Sequence, residues 1–194
     1  TLQAAWPRVD VLINNAGAYF PQHGLTDAGL EMTFAVNHLG PYRLTRRLLP
    51  MMTAPDARVV TVASRAHEQG RLNFDDLQRK KRRYYGYFAY ADSKLCNVLF
   101  SAALAQHVPD NVTANCLHPG VIATGFAQDE PGFFNRLFRL GSPLLSTPAR
   151  GAETSIYLAS SPEVAGVSGK YFIRSRPKRP SRRGRDAEAA ARLW

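Results

Sequence analysis

Short apolar runs alternate along the chain with longer amphipathic segments, and this alternation limits the folds open to the chain more than any other feature. β-Branched runs predict four strands, at 9–14, 58–63, 112–117 and 170–173. Helical periodicity predicts three helices between them, at 26–52, 89–108 and 148–159. Strands joined by helix-length connections pair in parallel, so the sequence predicts an open α/β sheet.

Residues at the ends of the predicted helices supply local signals. Thr26 and Asp27 are candidate N-caps of the first helix, and Pro41 is expected to bend it. Thr147 followed by Pro148 is typical of a helix start, because proline suits the first helical position. The first and third predicted helices therefore have defined beginnings.

The composition is that of one globular domain with a core, since 45% of the 194 residues are apolar and 21% are charged. The two cysteines, Cys96 and Cys116, form no CxxC or Cys/His cluster, so neither a disulfide framework nor a metal site is predicted. Free cysteines are typical of a reducing compartment, and a cytoplasmic location is expected. No apolar run approaches the length of a membrane span.

Two tracts carry the excess positive charge. Residues 79–83, with the sequence RKKRR, contribute +5 and residues 170–194 contribute +7, so the rest of the chain carries −2 of the net charge of +10. Such tracts could bind nucleic acid or an anionic membrane through phosphate groups. A solvated loop and a solvated tail are the commoner explanation, and no specific nucleic-acid partner is expected. Pro177 and Pro180 predict an extended tail.

Tyr90 and Lys94 are the first candidate catalytic residues, and both lie on the strongest predicted helix. They are four residues apart, so their side chains share one helix face. A neighbouring ammonium lowers the pKa of a phenol, and such a pair suits proton exchange with an alcohol or carbonyl oxygen. A helix-surface pair without a catalytic role is the alternative at this spacing.

Ser64 and Asn37 are the other polar candidates. Ser64 follows a predicted buried strand, where its hydroxyl could donate to a substrate oxygen or cap a turn. No GxSxG motif surrounds it, which argues against a nucleophilic serine. Asn37 interrupts an apolar helical stretch, where an amide is unfavourable unless its hydrogen bonds are used. A structural bridge explains Asn37 as well as a functional role does.

Five elements, in this order, resemble the short-chain dehydrogenase/reductase family. They are Asn14-Asn15-Ala16-Gly17 after a strand, Asn37, Ser64, the run Tyr90-Ala91-Asp92-Ser93-Lys94, and His118-Pro119-Gly120 with Thr124. The sequences at 59–67 and 90–100 are similar to the retinol-dehydrogenase-like branch of that family. The resemblance implies a doubly wound Rossmann-type sheet and an NAD(P)-dependent oxidoreductase that interconverts an alcohol and a carbonyl.

The resemblance also implies roles for individual residues. Tyr90 would be the general acid/base, Lys94 would lower its pKa and hold the nicotinamide ribose, and Ser64 would orient the reacting oxygen. Asn37 would anchor a water relay to Lys94. The branch often uses NADP, so NADP is slightly favoured over NAD. The implied cofactor-binding residues are Asn14, Ala16, Gly17, Tyr90, Lys94, Pro119, Gly120, Ile122 and Thr124.

The glycine-rich phosphate loop of the family has no counterpart in this sequence. The predicted strand at 9–14 resembles the fourth strand of the family, so residues 1–173 are interpreted as a partial Rossmann-type catalytic domain and 174–194 as a basic tail. A longer enzyme is expected, and these residues alone are expected to bind NAD(P)H weakly or not at all. An inactive truncated homologue is the alternative. An unpaired sheet edge would then favour aggregation or partner capture.

Residues 125–147 are interpreted as the substrate lid, with an amphipathic segment at 130–140. Their many phenylalanine and leucine residues suit a lipophilic, retinol-like alcohol or carbonyl, and the lid could rest on a membrane surface. Ordinary packing against the sheet is the alternative. Family members often form oligomers, so the resemblance also allows a homo-oligomer.

Overall fold

A computed structural model describes residues 6–120 and 147–194 and shows one five-stranded sheet. The strands lie in chain order across it, and the first four are parallel, whereas the fifth is antiparallel to the fourth. This arrangement confirms the predicted open α/β sheet. The strands are β1 (Val11–Asn14), β2 (Ala57–Val62), β3 (Val112–His118), β4 (Tyr171–Ile173) and β5 (Arg176–Lys178).

Four helices are described. The first, α1, is α-helical over Met32–Phe34, π-helical over Ala35–Leu39 and α-helical again over Gly40–Leu48. The others are α2 (Gly86–Leu104), α3 (Pro148–Ser160) and α4 (Ala187–Leu193). Short 3₁₀ turns cover Leu49–Met51, Arg65–Gln69, Pro162–Val164 and Arg183–Arg185.

Helices cover both faces of the sheet, which is why its strands are apolar on both sides. Val59 of β2 packs with Phe100 and Leu104 of α2 on one face. Val60, the next residue, packs with Leu158 of α3 on the other face. Successive side chains of a strand point to opposite faces, so two covered faces require a continuous apolar run. The doubly wound arrangement implied by the resemblance is confirmed.

The start of α1 differs from the prediction. Glu31, and not Thr26 or Asp27, is the N-cap, because its carboxylate accepts hydrogen bonds from the N–H groups of Thr33 and Phe34 at 2.9 and 2.8 Å. Thr26 instead closes the preceding turn, where its hydroxyl oxygen accepts from Leu30 N–H. A carboxylate caps a helix as well as a serine or threonine hydroxyl, but glutamate is a less common cap in sequence patterns.

The irregularity expected at Pro41 lies just before that residue. Proline has no N–H, so the carbonyl of Asn37, four residues earlier, loses its α-helical donor. The helix is π-helical over Ala35–Leu39, immediately N-terminal to the Gly40-Pro41 pair, and Gly40 N–H bonds the carbonyl of Ala35. π-Helical turns of this kind are frequent at functional sites.

His38 lies in this π-helical segment and is almost completely buried. Its ring lies 5.3 Å from that of Phe34 and 6.0 Å from that of Phe100, measured between ring centroids. Burial lowers the pKa of His38 to about 4, although the neighbouring Asn97 side chain acts in the opposite direction. The imidazole is therefore neutral in the folded protein at neutral pH.

We expect acid to destabilise the fold through His38. The unfolded chain takes up a proton near pH 6.5 and the folded chain only near pH 4, so stability is lost as the pH falls through this interval. The loss is on the order of 2–3 kcal/mol for this one group. Urea unfolding at pH 7.5, 6.0 and 5.0 measures it, and His38→Gln should show a flatter dependence than the wild type or the exposed-site control His23→Gln. Equal slopes in all three proteins would contradict this assignment.

Only part of the chain after β4 is extended, as Pro177 and Pro180 predict. A two-residue turn, Arg174-Ser175, with φ angles of +52° and +57°, reverses the chain into β5. Helix α4 then packs Ala190 against α2, in a cluster with Leu95, Leu99 and Ala103. The prediction of an extended tail is confirmed for β5, which contains Pro177, and is wrong for Ala187–Leu193, where this apolar contact stabilises a helix that begins at the N-cap Asp186.

The basic tract at 79–83 is not a uniformly solvated loop. Arg79 is only 6% exposed, and its guanidinium lies 2.6 Å from the carboxylate of Asp92. Arg82 lies 3.4 Å from the same carboxylate and 3.6 Å from that of Asp76. The expectation of a solvated loop is therefore wrong for two of the five charges. Lys80, Lys81 and Arg83 remain exposed.

Strand β1 lies at one edge of the described sheet. Within residues 6–120 and 147–194 it pairs with β2 alone, and Val11 and Ile13 are 37% and 41% exposed. None of the helices in these two ranges combines the length and apolar character needed to cross a membrane. The predicted lid and the segment at 130–140 lie outside the described residues, apart from Thr147.

Candidate active site

The carboxyl ends of β1, β2 and β3 bring three of the predicted site regions to one edge of the sheet. Asn14 ends β1, Ser64 follows β2 by two residues, and His118 ends β3. Because these strands are parallel and adjacent, their carboxyl ends lie side by side at the same edge of the sheet. Helix α2 passes this edge and adds Tyr90 and Lys94.

Ser64 combines the two roles that the sequence left open. Its hydroxyl oxygen accepts a hydrogen bond from Ala66 N–H at 3.2 Å and so caps the 3₁₀ turn Arg65–Gln69. The same side chain is hydrogen-bonded to the phenol of Tyr90. The structure thus joins Ser64 and Tyr90, which are 26 positions apart in the sequence, in one polar pair.

Lys94 is buried one helical turn after Tyr90. Its ammonium lies 5.5 Å from the centroid of the Tyr90 ring and donates to the carbonyl oxygen of Val62 at 3.1 Å. Lys94 is 3% exposed, so the carbonyl at the end of β2 is an acceptor that partly replaces water. The predicted shared helix face is confirmed by this proximity.

The pKa values do not follow the prediction that Lys94 lowers the pKa of Tyr90. Burial raises the pKa of Tyr90 to about 12, and the hydrogen bond from Ser64 only partly offsets it. Burial also lowers the pKa of Lys94 to about 8. Desolvation disfavours the charged form of both groups and is the largest cause of both pKa shifts. The prediction is therefore wrong for the protein by itself.

Asn37 bridges α1 to the loop after β1. Its Oδ1 accepts from Ala18 N–H at 2.7 Å, and its Nδ2 donates to the Ala18 carbonyl at 2.8 Å and to the Ser93 hydroxyl at 3.0 Å. The amide is fully buried and fully used, which explains how it can lie in an apolar stretch. The structural reading of Asn37 is confirmed, and its water-relay role stays a prediction.

Gly17 lies between this bridge and Lys94. A Cβ atom at this position would lie 3.2 Å from Lys94 Nζ and 3.5 Å from Asn37 Oδ1. Asn15, Ala16 and Gly17 are exposed, so bare backbone runs beside a buried ammonium. This donor set fits the polar part of a nucleotide cofactor, because a glycine allows close approach and the ammonium can bind hydroxyl oxygens.

Of the remaining predicted cofactor residues, the structure describes Asn14, Pro119 and Gly120. The side-chain nitrogen of Asn14 donates to the Thr45 hydroxyl at 2.9 Å and lies 3.5 Å from the Thr61 hydroxyl, so this part of the side chain serves the scaffold. Pro119 and Gly120 follow β3 directly, and Gly120 has a φ of +93° that suits glycine. Ile122 and Thr124 lie outside the described residues.

Sequence reasoning missed Asn97, His67 and the contact made by His118. Asn97 lies three residues after Lys94 on the same helix face, and its Nδ2 donates to the same Val62 carbonyl at 3.3 Å. That spacing is a signal that could have identified it. Within residues 6–120 and 147–194, no group of three or more His, Cys, Asp or Glu side chains is arranged to hold a metal ion.

A parallel, doubly wound sheet that places serine, tyrosine and lysine together at its carboxyl edge defines a Rossmann-type oxidoreductase scaffold. A family model described as enoyl-(acyl carrier protein) reductase matches residues 1–174. The chain therefore belongs to the short-chain dehydrogenase/reductase family, a family of oxidoreductases that use a nicotinamide cofactor.

Relatives of known name agree with this assignment. The chain is 44% identical to human retinol dehydrogenase 14 over 193 residues, which cover 97% of this chain and 57% of that protein. It is 42% identical to human retinol dehydrogenase 13, with coverage of 96% and 59%. It thus spans somewhat more than half the length of these relatives. The chain is also similar to a crystal structure of an uncharacterized protein from Mycobacterium paratuberculosis, with 35% identity and a TM-score of 0.77. The match covers 100% of this chain and 67% of the chain in that structure.

Proposed function

We propose that the protein is an NAD(P)-dependent oxidoreductase that interconverts an alcohol and a carbonyl compound through Tyr90, Ser64, Lys94 and Asn37. The observation that carries this proposal is the hydrogen bond between the side chains of Ser64 and Tyr90, with Lys94 on the next turn of α2. Two hydroxyl groups that converge at the carboxyl edge of a parallel sheet can both donate to one substrate oxygen.

The proposed roles follow from the side chains. In the reductive direction the Tyr90 phenol donates its proton to the carbonyl oxygen, while the Ser64 hydroxyl donates a hydrogen bond to the same oxygen. The cofactor, when bound, supplies the hydride that the carbonyl carbon accepts and is itself oxidised. The Lys94 ammonium, next to Gly17, would bind ribose hydroxyls, and its charge would favour the phenolate left on Tyr90. Asn37 would hold the Gly17-Ala18 backbone in place.

The finer parts of the proposal rest on the relatives. Two proteins at 44% and 42% identity are named retinol dehydrogenases, which favours a lipophilic, retinol-like alcohol or carbonyl as substrate. NADP is proposed ahead of NAD. Residues 1–173 are proposed as the catalytic part, with the lid at 125–147. Cys96 and Cys116 are both buried free thiols, which supports the proposed cytoplasmic location.

Cofactor oxidation tests the proposal. The protein as its gene encodes it should oxidise NADPH, and NADH more slowly, in the presence of all-trans-retinal, with the loss of absorbance at 340 nm as the measurement. Lys94→Met should weaken NADPH binding and lower the rate about tenfold or more, because it removes the charge beside the phenol and the ribose site. Lys170→Met is the matched control, since Lys170 is exposed and precedes β4, at the amino end of that strand.

Each outcome has a defined meaning. Equal losses in Lys94→Met and Lys170→Met would assign the effect to net charge and overturn the role of Lys94. No oxidation of either cofactor with retinal or with a panel of smaller aldehydes and ketones would overturn the proposed function and favour an inactive homologue.

A further inference from the structure

His67 is completely buried in the 3₁₀ turn that follows Ser64. Its Nδ1 lies 2.7 Å from the carbonyl oxygen of Ser64, and its Nε2 accepts a hydrogen bond from Ser181 N–H at 3.2 Å. A carbonyl can only accept and an N–H can only donate, so Nδ1 carries the proton and Nε2 does not. The ring is therefore a neutral link with one donor and one acceptor, and burial lowers its pKa in agreement with this state.

A second imidazole holds the other side of the same peptide unit. Arg65 N–H donates to His118 Nδ1 at 3.3 Å. The carbonyl of Ser64 and the N–H of Arg65 belong to one peptide plane, so His67 and His118 together fix its orientation. The Cα atom of Ser64 lies in this plane. The orientation of the plane therefore affects the direction in which the Ser64 side chain extends toward Tyr90.

The C-terminal segment, residues 181–184, packs directly against His67. A Cβ atom at Gly184 would lie 3.1 Å from Val98 Cγ1 and 3.4 Å from His67 Cδ2, so the backbone of Gly184 lies close to the His67 ring. Gly184 N–H donates to the Ser181 hydroxyl at 3.1 Å. Arg183 donates to the carbonyl of Gly70, just past the other end of the His67 turn, at 3.4 Å.

We propose that His67 is a positioning residue that couples the C-terminal segment 181–184 to Ser64, so that this segment holds the Ser64 hydroxyl in its reactive position. The proposal rests on the proposed function of Ser64 as the residue that orients the substrate oxygen. It gives the residues after β4 a part in the reaction, because the His67 ring bonds both Ser181 and the carbonyl of Ser64.

Two substitutions separate the two hydrogen bonds of the ring. The amide nitrogen of asparagine takes the place of Nδ1, so His67→Asn keeps the donor to Ser64 and loses the acceptor for Ser181. Glutamine reaches the place of Nε2, so His67→Gln keeps the acceptor and loses the donor. Both variants should lower kcat, His67→Gln by about ten- to a hundredfold and His67→Asn by about three- to tenfold, with the KM for NADPH unchanged. Circular dichroism and the thermal midpoint confirm that kcat is measured on folded protein.

A double-mutant cycle decides whether His67 acts through Ser64. In a Ser64→Ala background, where no hydroxyl is left to position, His67→Gln should lower kcat by less than twofold. Losses that multiply in the double variant would overturn the proposal. Unchanged kcat in both single His67 variants would also overturn it, while a loss in Ser64→Ala would leave the proposed function standing. Wild-type kcat in Ser64→Ala would instead overturn the proposed function of Ser64 and this inference with it.

Hydrogen–deuterium exchange tests the C-terminal part of the link without an activity assay. The amides of Ser181 and Gly184 should exchange at least fivefold faster in His67→Asn than in the wild type, whereas His67→Gln should stay close to the wild type. Faster exchange in His67→Asn together with a wild-type kcat would overturn the coupling, because the segment would then be loosened without consequence for Ser64.

Discussion

Tyr90→Phe is expected to lower kcat for carbonyl reduction by roughly 10²–10⁴-fold, the usual contribution of a general acid. Phenylalanine keeps the ring and therefore its edge-to-face contact with Tyr19, whose centroid lies 6.4 Å away. It removes only the hydroxyl that Ser64 contacts. The thermal midpoint should consequently stay within a few degrees of the wild type while the rate of NADPH oxidation with retinal collapses.

Tyr85→Phe is the matched control for this experiment. Tyr85 precedes α2 by one residue, and 49% of its side chain is exposed. The same atom is removed from the same residue type a short distance away, so the control should retain the wild-type kcat. Full activity in Tyr90→Phe would refute the assignment of Tyr90 as the proton donor, and a matching loss in Tyr85→Phe would show that the effect is not specific.

Asp92→Asn is expected to cause the largest loss of stability among single substitutions near the site, about 3–5 kcal/mol. The Asp92 carboxylate accepts from Arg71 N–H at 2.7 Å and from the Arg79 guanidinium at 2.6 Å. Asparagine can still accept from Arg71, but it leaves Arg79 buried without a countercharge. Such a charge costs several kcal/mol, because water cannot reach it. Urea unfolding at pH 7.5 measures the change in the free energy of unfolding.

A second variant distinguishes charge from packing. The double substitution Asp92→Leu with Arg79→Met removes both charges and should recover most of the stability lost in Asp92→Asn, since a buried ion pair contributes little more than apolar residues of similar volume. Asp75→Asn, at an exposed carboxylate in the preceding loop, should change stability by less than about 0.5 kcal/mol. A similar loss in Asp75→Asn and Asp92→Asn would contradict the account given for Arg79.

The strands and the main helices could be predicted because local pattern and tertiary environment agree there. The run at 58–63 predicts a strand that the structure has at Ala57–Val62, since both of its faces are covered by helices. The order of Ser64, Tyr90 and Lys94 along the chain also predicted a site, and the fold brings these three side chains close together. The spacing of Tyr90 and Lys94 on one helix was enough to predict that these two side chains lie close together.

The features that escaped prediction depend on distant partners. Five consecutive basic residues at 79–83 indicate a solvated loop, and the burial of Arg79 is set by Asp92, thirteen positions later. The reversal at Arg174-Ser175 uses two positive φ angles without the glycine or asparagine that normally marks such a turn. The link from Ser64 through His67 to Ser181 spans 117 positions, and no local pattern encodes it.

The carbonyl of Val62 serves Lys94 and Asn97 at once, and this sharing has a thermodynamic consequence for ligand binding. A free lysine side chain loses about 2 kcal/mol of rotamer entropy when it is immobilised. Here folding has already fixed the side chain, with one of its three N–H groups directed at the strand end. A nucleotide that met the remaining N–H groups would form its contacts with a rigid partner, so its affinity would not be reduced by that cost.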